Sequence, residues 1–118
     1  MLPKKYIGEQ FYFDNKILVD NVPVNINTYQ VIEALLIGQH VNIAYRYPAQ
    51  AGYESIVKID DYTLRYYVTS EHTTKLGIGT VKIEIKGIVA DAMAPNGILK
   101  PIFAGNLFTL VDNKIGKL

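Results

Sequence analysis

Thr80-Val81-Lys82-Ile83-Glu84-Ile85-Lys86 decides the fold: three β-branched apolar side chains alternate with polar ones at a period of two. Such alternation sends every second side chain into a core and its neighbour into water, as a half-buried strand does. Working outward, Tyr62, Leu64, Tyr66 and Val68 alternate with Thr63, Arg65, Tyr67 and Thr69. Val41, Ile43, Tyr45 and Tyr47 alternate with Asn42, Ala44 and Arg46. β-Branched and aromatic residues fill these runs, as a pleated, half-buried surface prefers. Segments 10–14, 53–60 and 107–112 carry a weaker form of the same pattern. Val22, Val24 and Ile26 add a short strand that Pro23 confines to an edge, and Pro101 restricts 98–103 in the same way.

Between these runs stand turn formers: Asp14-Asn15-Lys16, Asp20-Asn21, 48–52, Asp60-Asp61, 77–79, Pro95-Asn96-Gly97, Gly105-Asn106 and Asp112-Asn113. Asn96-Gly97 suits a two-residue hairpin, because both residues tolerate positive φ. Turn signals about every 8–12 residues between short strands are the pattern of a sandwich or barrel. The expected fold is mainly β, a single antiparallel β-sandwich. One segment departs from the period. Val31, Ile32, Leu35 and Leu36 share a helical stripe, Asn27 or Thr28 can cap it, Gln30 stands at capping-box spacing from Asn27, and Gly38 can end it. A short helix is expected over 28–37, with a buried strand as the rival reading. Residues 1–8 read as an arm, 9–112 as the domain and 113–118 as a tail.

A chain of 118 residues is one domain against a typical size of roughly 100–150, and its 49% hydrophobic content supports a real core. Twelve basic residues against eleven acidic ones give no electrostatic reason to seek nucleic acid or an anionic membrane. The absence of cysteine excludes a disulfide staple, a thiolate metal site and a cysteine nucleophile. Glu9 interrupts any secretory apolar region after Lys4 and Lys5, and the densest apolar stretch, 31–37, falls far short of the ~20 residues a spanning helix needs. Synthesis in the cytoplasm is the expectation.

Chemistry-bearing residues are sparse. His40 and His72 lack any metal-ligand spacing, and ordinary surface or strand-end roles explain them. Ser70-Glu71-His72-Thr73 brings a hydroxyl, a carboxylate and an imidazole together in sequence, but a triad needs groups converging from separate elements. Ser70 and Thr73 read instead as loop residues bonding nearby backbone. Asp60-Asp61 lacks a calcium-loop pattern and reads as a turn. Gly77-Ile78-Gly79-Thr80 runs into a strand, not into the helix a phosphate loop requires. No catalytic residue, metal or cofactor is expected.

Tyrosine is the one compositional excess, nine in all, six of them between positions 45 and 67. Tyrosine fits strands for packing reasons alone, and an aromatic surface for protein or glycan contact is the functional alternative. Tyr67 stands on the polar parity of its strand between Arg65 and Thr69, so its ring is expected to face outward. Arg65, Tyr67, Tyr53 and Tyr47 form the candidate interaction surface.

From Tyr45 onward the order of features, a strand ending in Tyr47-Pro48, a second ending in Ile59-Asp60, the run 62–68, the turn and strand 75–85 and a final Leu107-Phe108-Thr109-Leu110-Val111, resembles the small immunoglobulin-like domains of tailed-bacteriophage virion proteins, such as the N-terminal domain of baseplate upper proteins. The resemblance implies an immunoglobulin-like sandwich and a non-enzymatic structural module of a tail, baseplate or head fibre. Its partners would be other virion proteins or a second copy, and its final location the virion. A carbohydrate-binding β-sandwich using exposed tyrosines is the alternative reading.

Overall fold

The computed structural model describes residues 2–112, so the expected tail at 113–118 lies outside the described residues. Its elements are β1 (Lys4–Tyr6), β2 (Phe11–Asn15), β3 (Leu18–Val19), β4 (Val22–Pro23), a 3-10 turn (Ile26–Thr28), β5 (Tyr29–Ile37), β6 (Asn42–Tyr47), β7 (Glu54–Asp60), β8 (Thr63–Val68), α1 (Ser70–Leu76), β9 (Gly79–Asp91) and β10 (Ala94–Val111). The mainly-β class expected from the alternation is the class observed. Eight strands form one sheet in the order β1-β10-β9-β5-β6-β7-β8-β2, and β3 with β4 forms a separate small ribbon. Phe11 on β2 and Phe108 on β10 are far apart in that order, yet their rings meet edge to face at 5.1 Å. The sheet therefore curls until its two limbs face each other across one core.

That core is the apolar parity of the alternating runs. Val81, Ile83 and Ile85 on β9 stand beside Ile32, Ala34 and Leu36 on β5 and Ile43 and Tyr45 on β6. Leu64, Tyr66 and Val68 of β8 face them from the other limb, with Phe108 and Leu110 closing the seam. Fully burying one such aliphatic side chain stabilises by roughly 1.5–3 kcal/mol, so the inward set is what holds the limbs together. Lys82, Glu84 and Lys86 are exposed on the opposite face, as their parity requires.

Residues 28–37 form strand, not helix. The stripe Val31, Ile32, Leu35 and Leu36 is helix-compatible because the outward residues Val31, Leu35 and Ile37 of β5 are apolar and half-buried too. A strand sheltered on both faces loses its apolar–polar alternation, and the sequence period then ceases to discriminate. Asn25 takes the capping role expected of Asn27 or Thr28, its side chain accepting from the Asn27 N–H at the head of the 3-10 turn.

The sheet is not antiparallel throughout: β1 with β10 and β6 with β7 pair in parallel. Side chains alternate with period two in either direction, so alternation carries no information about strand polarity. The segment expected as an arm contributes β1 and packs Ile7 against the core. Two expected turns also lie elsewhere. The β9–β10 connection falls at Ala92 and Met93, while Asn96-Gly97 and Gly105-Asn106 lie inside β10, which breaks register with β9 in three places. Gly97, at φ +78°, serves one of these irregularities: a Cβ there would meet the Val89 carbonyl oxygen and the Ile88 side chain at under 3 Å. Positive φ allows a bulge as readily as a hairpin turn, which is why the dipeptide misleads. Asp20 and Asn21, both with positive φ, do form the expected two-residue turn between β3 and β4.

The other unexpected element is α1, where loop was expected around Ser70 and Thr73. Thr69 Oγ1 accepts from the His72 N–H, and His72 Nδ1 accepts from the Thr69 N–H, both at 3.1 Å. This capping box carries histidine where glutamate or glutamine usually stands, so the sequence signature is hidden. The expected local bonding is present: the Thr73 hydroxyl reaches the Ser70 carbonyl at 3.1 Å and, across to the N-terminal segment, the Glu9 carbonyl at 3.0 Å.

Candidate binding surface

On the limb made by β7, β8 and β2, the outward parity of β8 carries Arg65 and Tyr67. Register places Tyr12 directly beside Tyr67 and Asp14 directly beside Arg65 on β2. Cross-strand neighbours on one face are close enough for direct contact. The Tyr12 and Tyr67 ring centroids lie 5.8 Å apart, tilted by 54°. Arg65 sits over the Tyr12 ring at 4.0 Å and donates to both Asp14 carboxylate oxygens, at 2.7 and 3.0 Å. The guanidinium holds the Asp14 carboxyl below the usual carboxylate range, first through the hydrogen bond and then through its charge. In return Asp14, and after it Tyr67, make the Arg65 proton harder to remove.

Both tyrosines remain about half exposed, Tyr12 at 53% and Tyr67 at 48%, which leaves ring surface for a ligand. A cleft of about 390 Å³ opens beside them, lined by Gln10, Phe11, Tyr12, Tyr67, Val68 and Thr69. The backbone beneath is pinned from the core. Tyr45 Oη, on the facing limb, donates to the Tyr67 carbonyl at 2.8 Å. Burial, and secondarily the Glu54 carboxylate, push the Tyr45 phenol above its ordinary value, so it remains a donor.

The four candidate surface residues do not form one patch. Arg65 and Tyr67 are neighbours, whereas Tyr53 lies in the connection before β7 with Arg46 over its ring at 5.6 Å. Tyr47 is half-buried and packs against the core. Parity identified Tyr67 correctly, but sequence alone did not supply Tyr12 and Asp14, because long-range register is needed to bring β2 beside β8.

Tyr53 belongs to a second depression, a groove of about 380 Å³ across the outer face of β6, β5, β9 and β10. Its walls are largely apolar, with Leu35, Leu99, Pro101 and Phe103 among them, and Ala44 and Ala104 leave the trough between. Glu33 crosses it between Lys86 and Arg46, its cross-strand neighbours, with Arg46 Nη1 at 3.3 Å. Beside the groove runs the outer edge of β10. Its only other neighbour, β1, pairs just with Thr109, Leu110 and Val111, so the long segment before them has β9 on one side and no described strand on the other. Met93 at the hairpin turn is 92% exposed, and Leu99 and Phe103 are more than half exposed.

The remaining polar candidates are committed elsewhere. His72 has Nδ1 in the helix cap and Nε2 2.9 Å from Glu54 Oε1, which occupies both ring nitrogens. His40 packs in the bend against Gly77, where a Cβ would collide with its ring. Asp60 accepts from the Tyr62 N–H at 2.8 Å; that bond, followed by those from Thr63 and the charge of Lys16, keeps its carboxyl below the ordinary range. Among the described residues no three histidine or acidic side chains are placed to hold a metal. No described helix is long and apolar enough to cross a membrane. No family model matches the chain, and neither a curated protein nor a solved structure matches it.

Proposed function

We propose that this protein is a non-enzymatic assembly module that acts through protein–protein contacts made by the β10 limb. The observation that carries the reading is the open outer edge of β10 lying beside an apolar groove, with Leu99 and Phe103 exposed on it. Open, weakly charged edges template pairing with another chain unless charge or proline blunts them. Lys100 is the only charged residue from position 92 to 111, and the prolines at 95 and 101 remove donors at just two points. Face-to-face packing over the groove would add apolar burial to whatever edge pairing forms.

The occupants this reading favours are a second copy of the chain or another component of a larger particle. The resemblance in feature order to immunoglobulin-like domains of tailed-bacteriophage virion proteins supports a tail, baseplate or head-fibre setting. Light scattering after gel filtration across a concentration series tests the self-association arm. The expected result is an average mass that rises with concentration and returns to that of a monomer in Leu99→Lys and Phe103→Lys. A wild-type monomer at every concentration, together with unchanged co-purification of neighbouring gene products by the two variants, would overturn the reading.

A further inference from the structure

We propose that the cleft beside Tyr12 and Tyr67 is a saccharide subsite that takes one neutral hexopyranose unit of an oligosaccharide. The inference stands on the opposite limb from the assembly surface and does not depend on it. A pyranose ring presents an apolar face of C–H groups, polarised positive by the neighbouring oxygens, and a rim of hydroxyls that each donate and accept. Its site therefore needs an exposed aromatic face, whose π-cloud is negative, beside uncharged groups with both donor and acceptor capacity.

The cleft supplies both. Tyr67, half exposed and tilted against Tyr12, offers the aromatic wall. At the same end of the cleft, Gln10 brings an amide that donates and accepts and has no side-chain partner among the described residues. The Thr69 hydroxyl accepts from the His72 N–H and keeps its own proton to donate. Behind the rings, the Arg65 pair to Asp14 and the contact of Arg65 with Tyr12 hold that ring in place before any ligand arrives. Side chains already fixed by their neighbours lose little freedom on binding.

The charge state selects the sugar class. None of the six residues lining the cleft is charged, and the nearest guanidinium is closed onto a carboxylate by two hydrogen bonds. The other nearby cation, Lys5, lies over the Phe11 ring at 4.5 Å and 4.0 Å from the Glu9 carboxylate, so an acidic sugar would have to draw Arg65 or Lys5 off its present partner to gain a cation. A neutral one would not.

The test is a titration of the full chain, followed in amide-proton and nitrogen-15 spectra. The probes are methyl glucoside, methyl galactoside, methyl mannoside, the N-acetylglucosamine trimer and, as the acidic control, sialyllactose. At least one neutral probe is expected to give saturable shifts at Gln10, Tyr12, Tyr67 and Thr69 while the β10 amides stay still. Tyr67→Ala should weaken binding about tenfold or more, the equivalent of roughly 1.4 kcal/mol, and Tyr67→Phe should keep it. Gln10→Ala, on an exposed side chain, should weaken it a few-fold without touching the fold. Absence of saturable shifts with every neutral probe at concentrations on the order of 50 mM overturns the proposal, since a useful subsite binds more tightly than that. Preference for sialyllactose, or unchanged affinity in both Tyr67→Ala and Gln10→Ala, also overturns it. Neither result bears on the association state of the β10 limb.

Discussion

Near the body, β9 buries Val81, Ile83 and Ile85 while β5 covers one side of it and β10 the other. Farther along the same hairpin Met93 and Ile98 are just as apolar and stand exposed, and so do Leu99 and Phe103 on the outer face of β10. The two halves differ little in strand propensity. What separates them is the facing limb: where Leu64, Tyr66 and Val68 stand opposite, alternation becomes core, and where nothing stands opposite it becomes exposed apolar surface. An exposed cluster of this kind is the surface that the proposed contact with a second chain would cover.

The widest split between the halves is expected in stability. Ile83→Ala should cost about 2–5 kcal/mol in urea unfolding, because it empties a site that the facing limb cannot refill. Leu99→Ala, already more than half exposed, should cost less than about 1 kcal/mol. Equal losses would break the comparison.

Next in size is a pair of phenols on the buried side. Tyr45 donates to the Tyr67 carbonyl, whereas the Tyr66 hydroxyl is buried with no hydrogen-bond partner among the described residues. Tyr45→Phe should therefore cost about 1–3 kcal/mol, since it strands a carbonyl. Tyr66→Phe should be neutral or stabilising, because it removes an unsatisfied group while keeping the stack on Phe13 at 4.8 Å. Gly97→Ala sharpens the contrast from the other end. With φ at +78° and the Val89 carbonyl in the way, it should abolish amide protection around 94–99 and leave the global urea midpoint nearly unchanged.

The smallest expected effect is on acid stability. The folded-state pKa of Asp14 is depressed by Arg65, so the pair stabilises above the unfolded value of 3.8 and is lost as pH falls through the lower folded value. Asp14→Asn should lower stability by a small constant amount between pH 6 and 8, leaving the curve flat there, and should flatten its fall below about pH 4. A change of slope near neutrality would mean that the carboxylate answers to a different partner.

Much of the near half was legible in the sequence because one face is dry and the other wet. Residues 80–86 and 64–68 announce their inward and outward members directly, and Tyr67 was placed on the right face by parity. Legibility failed where that contrast vanished. Strand β5 is apolar on both faces, so its period imitates a helix. The cap of α1 uses His72 in an unusual role. Gly97 serves a bulge where its dipeptide suggests a turn. Of the cleft beside β8 and the ion pair next to it, Arg65 and Tyr67 could be read but Tyr12, Asp14 and Gln10 could not, because pairing between positions more than fifty residues apart leaves no local trace.

Hydrogen exchange of the full chain, measured at low and at high protein concentration, tests most directly whether the far half is an unfilled interface. Within 98–104, the amides that face the open edge and not β9 should exchange fast when dilute and gain protection as concentration rises, while those at 81–86 stay protected and constant throughout. Edge-facing amides that are already as slow as those at 81–86 when dilute, or that are fast at both concentrations with no assembly partner able to slow them, would contradict the account.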